Sequence, residues 1–191
     1  MKTLNSWLKA GRRTGLERFN IFVGGFLYIS EGDVAAFRVQ LTTLPDWMKQ
    51  VEITLLEALG PRIAVEFWSQ KIKDKFAHIH MDNLAAVFSL ARNSSKNFYV
   101  AQVSRSFHDC TSQWGIEWYV SWISTLRNIA DVLTRRERLS LLEAAFQGVP
   151  VFDIPQSFLI EHEFLWGDYE FRRVPRATLL EGGDFTAPGR T

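Results

Sequence analysis

Short β-rich apolar runs and longer stretches of helical period take turns along the chain. Phe19 to Val23 and Phe26 to Ser30 are two such runs, Glu31-Gly32-Asp33 supplies hairpin chemistry, and Ala35 to Leu41 follows as a strand. From Trp47 through Trp68 apolar positions recur at helical spacing. Thr43 or Asp46 is available as the cap there, and Gly60-Pro61 is expected to break or kink the helix. Phe76 to Met81 is dense in apolar residues and closes on Asp82-Asn83, which predicts a buried strand. Leu84 to Ala91 and Phe98 to about Ser112 have helical period and are separated by a loop, Asn93 to Asn97. Gly115 ends the second helix, Ile116 to Ile123 alternates as a strand, and Asn128 to Phe146 is helical until Gly148 and Pro150 stop it. A hairpin sheet followed by alternating helices and strands predicts an α/β fold: a mixed sheet flanked by helices, with parallel strands joined by helical crossovers.

The two ends differ from this pattern. Residues 1–18 carry Lys2, Lys9, Arg12, Arg13 and Arg18 among few apolar anchors and are expected to be a basic, loosely attached lead-in. From Val151 onward the chain has prolines, the acids Glu161 and Glu163 and a glycine-rich end, which predicts a tail over 149–191 and a single domain over 19–148. A length of 191 residues agrees with one core of ordinary size.

Composition narrows the function classes only a little. With 47 % hydrophobic and 23 % charged residues the chain is globular, and its seven Trp and fifteen Phe serve first to fill a core. A formal net charge of +1 gives no whole-molecule field for or against nucleic acid, so any such binding must come from a local patch. The single Cys110 excludes an internal disulfide, and four scattered His do not make a closed zinc site, which fits an intracellular, reducing location. Phe19 to Ile29 is too short to span a bilayer, so no membrane partner is expected.

In such folds chemistry gathers at the carboxyl ends of strands and the helix starts after them, and three acids are candidates. Asp82 closes the strand Phe76 to Met81 and precedes a helix, where its plainest role is an N-cap. Glu57 shares a face with Ile53 on the first helix, and as an isolated acid it would be a rim residue. Asp131, near the start of the last helix, could simply compensate the helix dipole. Among other candidates, His78 and His80 face one side of a strand as metal ligands can, although hydrogen-bonded structural histidines are the commoner case. Cys110 with His108 lacks a base-orienting partner. Arg135, Arg136 and Arg138, and the loop Asn93 to Lys96, could meet phosphates or solvent.

Taken together, Ile53-Thr54-x-Leu56-Glu57, His80-Met81-Asp82-Asn83-Leu84-Ala85-Ala86 and Trp122 through Arg135 with Asn128-Ile129-Ala130-Asp131 resemble the ribonuclease H domains of retroelement reverse transcriptases. The LTR and tyrosine-recombinase element groups are included in that resemblance, which covers about residues 20 to 140. It implies a ribonuclease H-like fold and a two-metal site of hard oxygen ligands, Mg2+ or Mn2+, held by Glu57, Asp82 and Asp131 as catalytic metal ligands. It also implies an RNA/DNA hybrid as partner, recognised by shape, phosphates and 2′-hydroxyls, and the polymerase part of a retroelement polyprotein as a second partner.

The family opens with a strand ending in an Asp-Ala-Ser type motif before a glycine-rich hairpin. Here no Asp precedes Asp33, and Glu17 is the sole acid upstream of Gly24-Gly25. The family's histidine near the final Asp is also not evident, Trp122 occupying about that region. The first strand is therefore expected to be incomplete or altered and the ancestral cleavage impaired. The alternatives are a non-catalytic nucleic-acid-binding or connector module and a decayed retroelement fragment.

Overall fold

The computed structural model describes residues 3–12, 21–30, 32–41, 53–134, 148–155 and 157–158. Six strands form one mixed sheet: β1 (Thr3–Arg12), β2 (Ile21–Ser30), β3 (Asp33–Leu41), β4 (Phe76–Met81), β5 (Glu117–Trp122) and β6 (Val151–Ile154). Their spatial order is β5-β4-β1-β2-β3-β6. The β1–β2 and β2–β3 pairs are antiparallel, whereas β1–β4, β4–β5 and β3–β6 are parallel. The helices are α1 (Ile53–Phe67), the single turn α2 (Ser69–Ile72), α3 (Leu84–Arg92) and α4 (Phe98–Gln113). Two 3-10 turns, Thr125–Arg127 and Ile129–Thr134, follow β5.

Alternation along the strands divides the sheet into two faces. Val23, Leu27, Ala35, Phe37, Val39, Ala77, Ile79 and Met81 join the large core formed with α1, α3 and α4. On the opposite face Phe26 and Ala36 meet Ala130 and Leu133 of the second 3-10 turn in a smaller cluster. Local chemistry fixes the helix starts that matter. Asn83 accepts from Ala86 N (3.1 Å) at the head of α3, and Asn97 accepts from Tyr99 N and Val100 N (3.0 and 3.3 Å) at the head of α4. Among the described residues no helix is long and apolar enough to cross a membrane.

Four expectations need correction. Ten of the residues expected as a loose lead-in, Thr3–Arg12, form β1, which lies between β4 and β2 inside the sheet. Its positions 4, 6, 8 and 10 are Leu, Ser, Leu and Ala, a short alternation that scattered basic residues obscure in the sequence. The two runs before the hairpin are one strand, β2, because Gly24-Gly25 continues it instead of breaking it. Helix α1 likewise runs through Gly60-Pro61, so the proline removes one ladder donor without ending the helix. Four residues of the expected tail, Val151–Ile154, add β6 to the edge of the sheet beside β3, where Arg38 Nη2 lies 2.6 Å from Asp153 Oδ1.

Of the last expected helix, the described part up to Thr134 is in 3-10 turns. Thr43, Asp46, Trp47, Glu17 and Arg135, Arg136 and Arg138 lie outside the described residues.

Candidate functional site

Asp82 sits immediately beyond β4, half-buried, and it does not cap α3; that role falls to Asn83. The capping explanation for Asp82 is thus removed. Its backbone oxygen accepts from Trp122 Nε1 at 3.1 Å, which ties the end of β4 to the end of β5. Trp122 and the fully exposed Leu126 put apolar surface beside this edge.

Glu57 is 2 % exposed while Ile53, one turn earlier on α1, is 45 % exposed, so the acid is buried and the apolar residue is at the rim. This reverses the rim position expected for an isolated acid there. A carboxylate is almost never this buried unless another group compensates it. Asp131 is 6 % exposed in the turn Ile129–Thr134, whose entry is fixed by Asn128 Oδ1 accepting from Ala130 N at 3.1 Å. Asp131 N donates to Asn128 O (3.1 Å) and Asp131 O accepts from Thr134 Oγ1 (3.0 Å). The turn rests on the sheet at Gly24, where an added Cβ would stand 2.7 Å from Leu133 Cβ.

The register brings a residue to this place that sequence reasoning left in the lead-in. Leu8 pairs with Met81 across β1 and β4, and Lys9 pairs with Gly24 across β1 and β2. Lys9 therefore lies one residue past the Leu8–Met81 pair, level with Asp82, and next to the glycine beneath Leu133. The signal available in the sequence was Lys9-Ala10-Gly11 following the alternation of residues 4 to 8.

Hard oxygen donors such as Glu57, Asp82 and Asp131 have the chemistry for Mg2+ or Mn2+. Among the described residues, however, no three His, Cys, Asp or Glu side chains form a group that could hold a metal ion.

His78 and His80 lie on the sheet face opposite the large core and are linked through one hydroxyl. Ser121 Oγ is 2.8 Å from His78 Nε2 and 3.0 Å from His80 Nδ1. The rings are 4.0 Å apart, and Tyr119 stands 5.2 Å from His78. Burial lowers the pKa of His78; burial and then the charge on His78 lower that of His80 to about 4. The folded state thus binds fewer protons than the unfolded chain below pH 6.5, so this contribution is present above pH 6.5 and is lost on acidification towards pH 4. We expect the urea midpoint to fall between pH 6.5 and 4 and to fall less in His80→Gln. Solvent screening of these half-exposed rings keeps the difference near 1 kcal/mol. Equal pH slopes in the two proteins would exclude this origin.

Cys110 is buried, and desolvation leads the effects that raise its thiol to about 12. His108 Nε2 is 2.8 Å from Leu90 O. The thiol is inert, as expected of a cysteine without a base-orienting partner.

No protein-family model and no curated protein matches the chain. Solved structures do. The N-terminal RNase H domain of a Mycobacterium tuberculosis protein, solved fused to maltose-binding protein, superposes with a TM-score of 0.56 at 15 % identity, covering 76 % of this chain and 99 % of that one. RNase H1 from the halophilic archaeon Halobacterium salinarum NRC-1 gives 0.56 at 13 % identity over 72 % and 98 % of the two chains. LC11-RNase H1, in complex with an RNA/DNA hybrid, gives 0.57 at 12 % identity over 73 % and 99 %. The chain has the ribonuclease H-like fold.

Proposed function

We propose that this chain is a ribonuclease H-like domain derived from a retroelement reverse transcriptase, now impaired in cleavage and retaining RNA/DNA hybrid binding. The ancestral reaction is metal-dependent cleavage of the RNA strand, with Glu57, Asp82 and Asp131 inherited from the metal-binding set. The observation that carries this reading is the release of Asp82 from capping by Asn83, in a fold whose strand end and 3-10 turn present Asp82 and Asp131. Support for impairment comes from Lys9-Ala10-Gly11 on β1, where the retroelement resemblance calls for an Asp-Ala-Ser type motif. LC11-RNase H1 was solved with a hybrid, which supports the same class of ligand here. In this reading the partners are the hybrid and the polymerase part of a retroelement polyprotein, and residence is intracellular.

A labelled RNA/DNA hybrid incubated with Mg2+ or Mn2+ tests the proposal, with Asp82→Asn run in parallel. We expect no cleavage above the protein-free control from either protein. Both should bind the hybrid, with affinity that falls steeply with salt, because phosphate contacts release counterions. Cleavage by the parent chain that disappears in Asp82→Asn would overturn the impairment, and absence of hybrid binding at low salt would overturn the retained partner.

A further inference from the structure

We propose that His78 and His80 form a binding site for one divalent transition-metal ion of the Zn2+, Ni2+ or Cu2+ class, on the sheet face opposite the large core. The proposal stands apart from the hybrid-binding reading and from Glu57, Asp82 and Asp131. A strand sends residues i and i+2 to one face, so the His-Ile-His run of β4 sets two imidazoles side by side, with ring centroids 4.0 Å apart. The parallel register places Tyr119 of β5 opposite His78 and Ser121 opposite His80. Both rings are only partly buried and Tyr119 is 58 % exposed, so the face is open to an ion from solvent.

Two ring nitrogens converge on a single point. Ser121 Oγ lies 2.8 Å from His78 Nε2 and 3.0 Å from His80 Nδ1. The hydroxyl has one proton, so it donates to one of these nitrogens only, and the other neutral ring donates its own N–H to the oxygen. When that ring carries its proton on its other nitrogen and Ser121 turns to another rotamer, two lone pairs face one point. Imidazole–zinc bonds are about 2.0–2.1 Å long, so each nitrogen has to close on that point by about 1 Å or less. One histidine would satisfy Ser121; a second nitrogen aimed at the same oxygen is what a chelating pair has and a lone structural histidine lacks. Imidazole ligands suit Zn2+, Ni2+ and Cu2+, with Cu2+ held most tightly, and are a poor match for the hard Mg2+. Two protein ligands leave the remaining positions of the ion to water, which makes the site an open, exchangeable one.

The whole chain, untagged and free of nucleic acid, is titrated with ZnCl2 in competition with a chromophoric chelator, and with CuCl2 followed by electron paramagnetic resonance. We expect one ion per chain, a Cu2+ spectrum with coupling to two imidazole nitrogens, and Zn2+ affinity unchanged by a large excess of MgCl2 at matched ionic strength. His78→Gln and His80→Gln, each keeping a polar side chain on the strand, should each weaken Zn2+ binding roughly tenfold or more and remove one nitrogen from the Cu2+ spectrum. A parent chain that binds neither ion, or a Cu2+ spectrum with fewer than two nitrogens, would overturn the proposal without any variant having to fold. So would Zn2+ bound as tightly by both folded histidine variants as by the parent, or Zn2+ displaced by Mg2+, since either result puts the ion on other residues.

Discussion

Gly24→Ala should destabilise the domain by about 1–3 kcal/mol and displace the turn that carries Asp131. The new methyl group would lie 2.7 Å from Leu133 Cβ and 3.4 Å from Phe37 O, so neither neighbour is the free end of a side chain. Relief requires the backbone of Ile129–Thr134 to lift off β2, which also opens the small cluster of Phe26, Ala36, Ala130 and Leu133. Shortening Leu133 does not help, because Ala keeps the offending Cβ. Gly24→Ala with Leu133→Ala should therefore be no more stable than the sum of the two single changes, whereas a rescue in urea unfolding would show that the clash lies elsewhere. Hybrid binding should weaken in Gly24→Ala, since the displaced turn borders the proposed site.

The same glycine explains what the sequence could not convey. Read locally, Gly24-Gly25 looks like a break between two runs, and only the approach of Leu133, more than a hundred positions along the chain, makes a strand glycine necessary there. β4 was recoverable to the residue, Phe76 to Met81, because its apolar density is bounded by Lys75 and by the Asp82-Asn83 pair. Helices α3 and α4 were equally legible from period and from Asn97 and Gly115 as punctuation. β1 was not, since a central strand with Asn5, Trp7 and Lys9 at alternate positions shows little hydrophobic contrast, and its pairing to both β2 and β4 is a long-range property. Of the candidate site, the three acids were readable from their motifs. Their environments were not: the burial of Glu57 depends on how α1 sits on the sheet, and the level of Lys9 with Asp82 depends on register alone.

The position of α1 is itself held by a charged brace, and Arg62→Met should cost about 3–5 kcal/mol. Arg62, 7 % exposed, donates from Nε to Ser106 Oγ of α4 at 2.8 Å and from Nη1 to Glu66 Oε2 at 2.9 Å. Glu66 Oε2 also accepts from Cys110 Sγ at 3.4 Å, so one carboxylate links both helices. Methionine fills the space but leaves Glu66 with less compensation in a low-dielectric layer, and that stranded charge accounts for most of the loss. Arg62→Met with Glu66→Leu removes the charge along with its partner and should recover most of the stability, as apolar replacements of buried ion pairs often do. Urea unfolding of the two singles and the double gives the coupling directly. A single change costing under about 1 kcal/mol would mean that Arg62 is solvated in solution and that apolar packing alone sets α1. The expected large coupling would instead mean that the helix bearing Glu57 is fixed by a polar contact to α4. Glu57 would then keep its place on the sheet independently of the group that compensates it.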